Sequence, residues 1–255
     1  MKQNNKIVMI TGATSGIGLA CAEIFAKHGF NLIITGRRKE RLAEIAQKLK
    51  NDHAVDVLPL SFDVRSRVDT EKAISLLPED WKNIDILINN AGLALGLEPV
   101  QQGNVGDWEA MIDTNIKGLL YVSRGVMPLM IARRQGHIIN IGSIAGKEAY
   151  ANGNVYCATK AAVDSLTKSM RIDLLPYNIK VTQIAPGAAE TEFSLVRFKG
   201  NEEAAKKVYT GFIPLKGSDV AEIIFFTAML PPHVNINDMV ITPTAQANTV
   251  HLHRK

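Results

Sequence analysis

Short runs of β-branched and other apolar residues alternate along the chain with longer segments whose apolar positions recur at helical spacing. The runs are Ile7 to Thr11, Asn31 to Thr35, Val55 to Leu60, Ile84 to Ile88, His137 to Ile141, Ile179 to Ile184 and Met239 to Thr242. Between them, Ile17 to Lys27, Lys39 to Lys50, Val68 to Leu77, Val105 to Arg133, Val155 to Leu175 and Ser218 to Leu230 read as helices. This alternation predicts an α/β chain: a doubly wound, seven-stranded parallel sheet with helices on both faces. No linker, repeat or low-complexity tract divides it, so residues 1–255 read as a single domain. The least regular stretch, about 187–216, follows a strand directly. A long connection leaving the carboxyl end of a strand is expected to be a lid over a ligand.

The 255 residues with 46% hydrophobic content can bury a substantial core, and the formal charge of +4 is mild. Without a basic tract carrying interleaved aromatics, nucleic acid is not expected as a partner; an anionic small molecule is. Cys21 and Cys157 stand far apart in predicted helices, which suggests neither a disulfide framework nor a metal cluster. The six histidines are scattered without ligand spacing, so no metal is expected. Met1 to Lys6 is polar and Thr11-Gly12 interrupts the first apolar run, too soon for a signal core or a membrane span. The expectation is a cytoplasmic protein with no membrane contact.

Thr11 to Gly18 joins the first strand to the first helix. Gly12 suits a tight turn, Gly16 lets the backbone approach a pyrophosphate, and Gly18 allows close packing of helix on strand. Thr14, Ser15 and Ile17 complete the turn, whose helix N-terminus favours a phosphate. At the end of the second strand, a cofactor without a 2′-phosphate would find an acid for its ribose hydroxyl. Here stand Gly36-Arg37-Arg38, and guanidinium groups at Arg37 and Arg38 suit a phosphate, so NADP is predicted over NAD. Asp63 and Val64, after the third strand, are candidates for the adenine edge.

Tyr156 and Lys160 share one helix face by their four-residue spacing. A phenol of pKa about 10 becomes a base near neutrality only if a neighbouring charge favours the phenolate. A cation at about 4 Å supplies roughly the required energy, and Lys160 is the candidate.

Thr11 to Gly18, Asp63, Asn89-Asn90-Ala91-Gly92, Asn115, Ser143, Tyr156 with Lys160, and Pro186-Gly187 followed by Thr191 together resemble the short-chain dehydrogenase/reductase family in order and separation. The resemblance covers almost the entire chain. It implies a Rossmann fold and hydride chemistry on a nicotinamide cofactor. Tyr156 would be the general acid/base, and Lys160 would lower its pKa and bind the nicotinamide ribose. Ser143 would orient the substrate oxygen, and Asn115 would hold a water beside Lys160. Asn89, Ala91 and Gly92 would pass close to the cofactor, with Pro186, Gly187 and Thr191 at its nicotinamide end. A homotetramer is implied in the same way.

A more local similarity is to the NADP-dependent 3-hydroxy acid dehydrogenases, carried by Ile34 to Arg38, Gly92 to Gly96, Asp113 to Asn115, Gly153 to Tyr156, Thr191 to Ser194, Val196 to Gly200 and Leu230 to Asn237. That branch acts on serine, L-allo-threonine and related short acids such as 3-hydroxyisobutyrate and 3-hydroxypropionate. The chain departs from its pattern at Lys147-Glu148-Ala149, which bears on side-chain specificity, and at Val240, which bears on subunit packing. A short hydroxy acid offers little but a carboxylate to grip, and Arg197 in the expected lid is the candidate for it. The alternatives are a reductase of 3-oxoacyl thioesters or general carbonyls and, more remotely, a non-catalytic NADP sensor.

Overall fold

In the computed structural model, which describes residues 4–255, the apolar runs become β1 (Asn4–Ile10), β2 (Phe30–Gly36), β3 (Val57–Ser61), β4 (Ile84–Asn89), β5 (Gly136–Ile141) and β6 (Ile179–Pro186). A short pair, β7 (Ala189–Glu190) and β8 (Leu215–Lys216), stands apart, and β9 (Asp238–Ile241) joins the main sheet. Residues 1–3, the start of the polar stretch ahead of the first run, lie outside the described residues. The seven-stranded sheet has the order β3-β2-β1-β4-β5-β6-β9 with every pairing parallel. Its winding reverses between β1 and β4, which opens a crevice at the carboxyl ends of those two strands.

The helices are α1 (Gly16–Lys27), α2 (Lys39–His53), α3 (Arg67–Ser75), α4 (Val105–Ile112), α5 (Leu119–Arg133), α6 (Asn154–Leu174), α7 (Glu192–Arg197), α8 (Glu202–Lys207) and α9 (Gly217–Met229). Strand alternation sends Val8, Ile10, Leu32 and Ile34 against Phe25 of α1, Leu42 of α2 and Ile224 of α9. Met9, Ile33, Leu87 and Ile138 point the other way, against Ile74 of α3, Val126 of α5 and Met170 of α6. Both faces of the sheet are therefore apolar, as an unbroken β-branched run requires. Each such side chain, fully buried, contributes about 1.5–3 kcal/mol.

Two regions refine the sequence reading. The expected helix from Val105 to Arg133 is interrupted by a π-helical turn, Asp113–Gly118, which contains Asn115. Its Asn115 side chain is tied to Leu93 and Thr159, distant positions that an apolar period does not record, and turns of this kind recur at functional sites. The segment 187–216 is two short helices between strands that pair only with each other, capped by Thr191 and Asn201 side chains. No helix among the described residues is long and apolar enough to cross a membrane. Among the described residues no group of three or more His, Cys, Asp or Glu side chains could hold a metal.

Candidate active site

A cleft of about 380 Å³ opens along the carboxyl ends of β1 to β6 and is closed on its outer side by the start of the 187–216 segment. The β1–α1 turn forms its floor. Gly12 has φ +67° and Gly16 φ +55°, conformations that disfavour any side chain. A Cβ at Gly18 would lie 2.3 Å from the Gly12 carbonyl oxygen, so the helix can start this close to the strand only without one. Thr11 Oγ1 accepts from the Asn90 and Ala91 amides, and Asn90 Nδ2 donates to the Thr11 and Gly12 carbonyls at 2.9 and 3.1 Å. The turn is thus tied to the end of β4. Thr14, Ser15, Gly16 and Ile17 line the cleft beside it.

At the β2 end, Arg38 donates from Nε and Nη2 to Thr14 Oγ1 at 3.1 and 2.8 Å, and its Nη1 lies 3.0 Å from Glu192. Arg37 lines the cleft on the other side, where its charge helps lower the pKa of Asp63. Burial pushes that carboxyl up, but hydrogen bonds and charge from Arg65, with Arg37, outweigh it and hold it below the usual range. The two arginines therefore diverge around the mouth and do not form one fork. Asp63 and Val64 face the cleft between them and β4.

Asn89 departs from the cofactor contact expected of it. Its Nδ2 donates to Ser123 Oγ and Asn140 Oδ1, both at 2.9 Å, inside the core between the sheet and α5. Strand alternation turns neighbouring side chains to opposite sides, and it is Asn90, with Ala91 and Gly92, that lines the cleft.

At the catalytic end, Tyr156 and Lys160 lie on α6 and are 8% and 6% exposed. Lys160 Nζ donates to the Ile141 carbonyl at 2.9 Å, and burial lowers its pKa to about 8. Burial pushes the Tyr156 phenol up; the Ser143 hydrogen bond and the Arg197 charge pull it down. Lys160, expected to act on the phenol, is not among the leading influences on it. Ser143, at the end of β5, caps a short 3-10 turn by accepting from the Ala145 amide at 3.1 Å. Asn115 Oδ1 accepts from Leu93 N at 2.9 Å, while its Nδ2 donates to Leu93 O and Thr159 Oγ1. A Cβ on Gly92 would lie 3.2 Å from Asn115 Oδ1 and 3.5 Å from Lys160 Nζ, so the bare glycine keeps that corner open.

The outer wall belongs to 187–216. Gly187 N donates to Ile241 O at 2.7 Å, which anchors the segment where it leaves the lining residue Pro186. Thr191 packs on Gly16, and Phe193 stands 5.6 Å from the Tyr156 ring, centroid to centroid. Arg197 donates from Nη1 to Tyr150 Oη at 2.8 Å and from Nε to Gly96 O at 3.2 Å. Its guanidinium carbon lies 5.6 Å from the centroids of both Tyr150 and Tyr156, with no carboxylate at ion-pair distance among the described residues. Tyr150 and Arg41 were not picked out from the sequence, and Glu192 and Phe193 stood there only within the run Thr191 to Ser194, with no role of their own. None carries a spacing signal, because their roles come from contacts between distant segments.

Known proteins resemble this chain over nearly its whole length. The NADP-dependent 3-hydroxy acid dehydrogenase YdfG of Escherichia coli (strain K12) is 47% identical over 251 residues, 98% of this chain and 100% of that one. Sulfoacetaldehyde reductase 2 of Chromohalobacter salexigens is 48% identical over 242 residues, 94% of this chain and 95% of that one. The closed form of serine dehydrogenase complexed with NADP+ superimposes with a TM-score of 0.91 at 47% identity, covering 98% of this chain and 100% of that one. The short chain dehydrogenase family model matches residues 6–201, a span that runs from the first strand to the start of α8 and takes in the glycine turn, Ser143, Tyr156 and Lys160. With that match and those relatives, the chain belongs to the short-chain dehydrogenase family.

Proposed function

We propose that this chain is an NADP-dependent dehydrogenase interconverting a short 3-hydroxy acid, of the serine, L-allo-threonine, 3-hydroxyisobutyrate or 3-hydroxypropionate type, with its 3-oxo acid or semialdehyde. The residues present fit the cofactor. The side-chain-free turn at Gly12, Gly16 and Gly18 leaves room for a pyrophosphate, and Arg38, held by Thr14, suits a 2′-phosphate. When bound, NADP supplies the hydride acceptor or donor.

The chain's own residues do the rest. Ser143 orients the substrate oxygen beside Tyr156 Oη. Tyr156 takes the proton from the hydroxyl during oxidation and returns it to the carbonyl oxygen during reduction. A buried phenol favours the protonated form, so it is poised as an acid for reduction; as a base it needs the nearby positive charges. Lys160, cationic below about pH 8, binds the nicotinamide ribose, and Asn115 holds the loop after β4 through both backbone groups of Leu93. Phe193 and Val196 exclude water.

One observation carries the substrate class: Arg197, without an acidic partner among the described residues, held by Tyr150 and Gly96 beside the Tyr156 ring. A guanidinium beside the ring of the proton-transferring tyrosine suits an anion borne two or three bonds from the reacting oxygen. A 3-oxoacyl thioester lacks such an anion. A sulfonate has one, and the resemblance to a sulfoacetaldehyde reductase at 48% identity favours it as a second reading.

The test is a spectrophotometric panel with NADP and NAD against serine, L-allo-threonine, 3-hydroxyisobutyrate and 3-hydroxypropionate, with malonic semialdehyde, sulfoacetaldehyde and an uncharged ketone in the reductive direction. NADP-linked turnover confined to the free carboxylates is the expected result. Preference for sulfoacetaldehyde would select the second reading, and equal turnover of the uncharged ketone would overturn both.

A further inference from the structure

Glu192 opens α7 one residue after Thr191, and its carboxylate reaches back across the mouth of the cleft. It lies 3.0 Å from Arg38 Nη1 and 3.7 Å from Arg41 Nη2. The same two guanidinium groups hold the glycine turn, Arg38 through Thr14 Oγ1 and Arg41 through the Thr14 carbonyl at 2.8 Å. A pair of cations on the phosphate-binding turn is thus occupied by a carboxylate that belongs to the facing wall. Arg38, Arg41 and Glu192 side chains are 46%, 45% and 39% exposed, so water screens the contact. An ion pair this open shifts an equilibrium by no more than about fivefold.

We propose that Glu192 is an internal occupant of the 2′-phosphate subsite, standing on Arg38 and Arg41 in the free chain and displaced when the phosphate of NADP arrives. The proposal rests on the reading that Arg38 receives that phosphate, and it adds Arg41 to the subsite. A phosphomonoester carries about −1.5 to −2 charges and three acceptor oxygens. It outcompetes a single carboxylate for two guanidinium forks. Displacement matters beyond the adenosine end because α7 is only six residues long, about 9 Å. Glu192 is its first residue and Arg197 its last, so the phosphate at one end frees the helix that carries, at the other, the guanidinium beside the Tyr156 ring. NAD, without the phosphate, leaves the carboxylate where it is.

The probes are 2′,5′-ADP and 5′-AMP, which differ only in the 2′-phosphate, titrated calorimetrically into the full chain. Hydrogen exchange is followed in parallel across residues 192–197. In the unmodified chain 2′,5′-ADP should bind the more tightly and raise exchange in α7, while 5′-AMP should leave α7 unchanged. Glu192→Gln should tighten 2′,5′-ADP about two- to fivefold, leave 5′-AMP unchanged, and show the raised exchange before any ligand is added. Unchanged or weaker binding of 2′,5′-ADP by Glu192→Gln would overturn the proposal. If Arg38→Ala loses the preference for 2′,5′-ADP while Glu192→Gln gains nothing, the Glu192 proposal alone fails. If the unmodified chain has no preference between the nucleotides, the phosphate reading of Arg38 fails with it.

Discussion

On the inner wall of the cleft, Asn90 is bonded to the Thr11 and Gly12 carbonyls, Asn115 to both backbone groups of Leu93, and Lys160 to Ile141 O. On the outer wall, Glu192 is held by half-exposed ion pairs and Arg197 by a tyrosine hydroxyl and a loop carbonyl. Neutral side-chain bonds to the backbone fix a geometry, whereas screened ion pairs can be exchanged for a ligand at little cost. The difference divides the labour. The inner wall fixes the reaction, and the outer wall selects the molecules on which it is performed.

Tyr156→Phe is the most severe test of that division. It removes the proton donor and leaves the ring and its packing on Phe193 intact, so kcat should fall by about 10²–10⁴-fold. Cofactor binding, followed by NADPH fluorescence, should be retained. Full turnover in the variant would remove the inner wall's claim to the chemistry.

Arg197→Ala should act on substrate choice. Loss of a charge-assisted hydrogen bond, worth about 1.5–3 kcal/mol, predicts a KM for a hydroxy acid raised roughly 10- to 100-fold. Reduction of an uncharged ketone should keep its KM. The guanidinium also pulls the phenol pKa down. Without it that pKa rises, so the alkaline rise of alcohol oxidation should move to higher pH, read from kcat/KM profiles. An unchanged KM for the acid would transfer specificity to the inner wall.

The inner wall was the more legible in the sequence. Gly12, Gly16, Gly18 and the Tyr156/Lys160 pair are local patterns, set by backbone conformation and helical spacing over a few residues. The strand and helix runs were legible for the same reason. What crosses between segments was not. Arg37 and Arg38 are adjacent in sequence, yet one turns toward Asp63 and the other toward Thr14 and Glu192. The π turn at Asn115 depends on Leu93 and Thr159, which no period records. Lys160 shares a face with Tyr156 as its spacing requires, but its ammonium is directed to Ile141 O, and the cation beside the tyrosine ring is Arg197, 41 positions further on from Tyr156 in the numbering.

Asn89→Ala tests a finer line, between residues that line the inner wall and those that support it. Its amide links Ser123 to Asn140, and Asn140 in turn donates to Thr167 at 3.0 Å. Removal leaves buried partners unpaired, which costs about 1–3 kcal/mol. For a domain of this size that is a Tm lower by several degrees, roughly 2–4 °C for each kcal/mol. The NADPH dissociation constant should not move. A weakened cofactor with unchanged Tm would return Asn89 to the cleft.

The smallest effect is expected at Lys147, which stands just before the helix that carries Tyr156 and Lys160. Its ammonium is bonded to Asp164 on α6 and to Asp238 on β9. The pair of carboxylates outweighs partial burial and holds its pKa above the ordinary lysine value. Lys147 does not line the cleft; Tyr150, three residues on, is what reaches Arg197. Lys147 therefore belongs to an ion network joining a helix to the edge strand. Lys147→Ala should cost about 1 kcal/mol or less, seen as a small fall in Tm that shrinks further in high salt. The KM for every acid in the panel should stay the same. A changed order of substrate preference would mean that the loop ahead of α6 shares in selection, and the division between the two walls would have to be drawn through it.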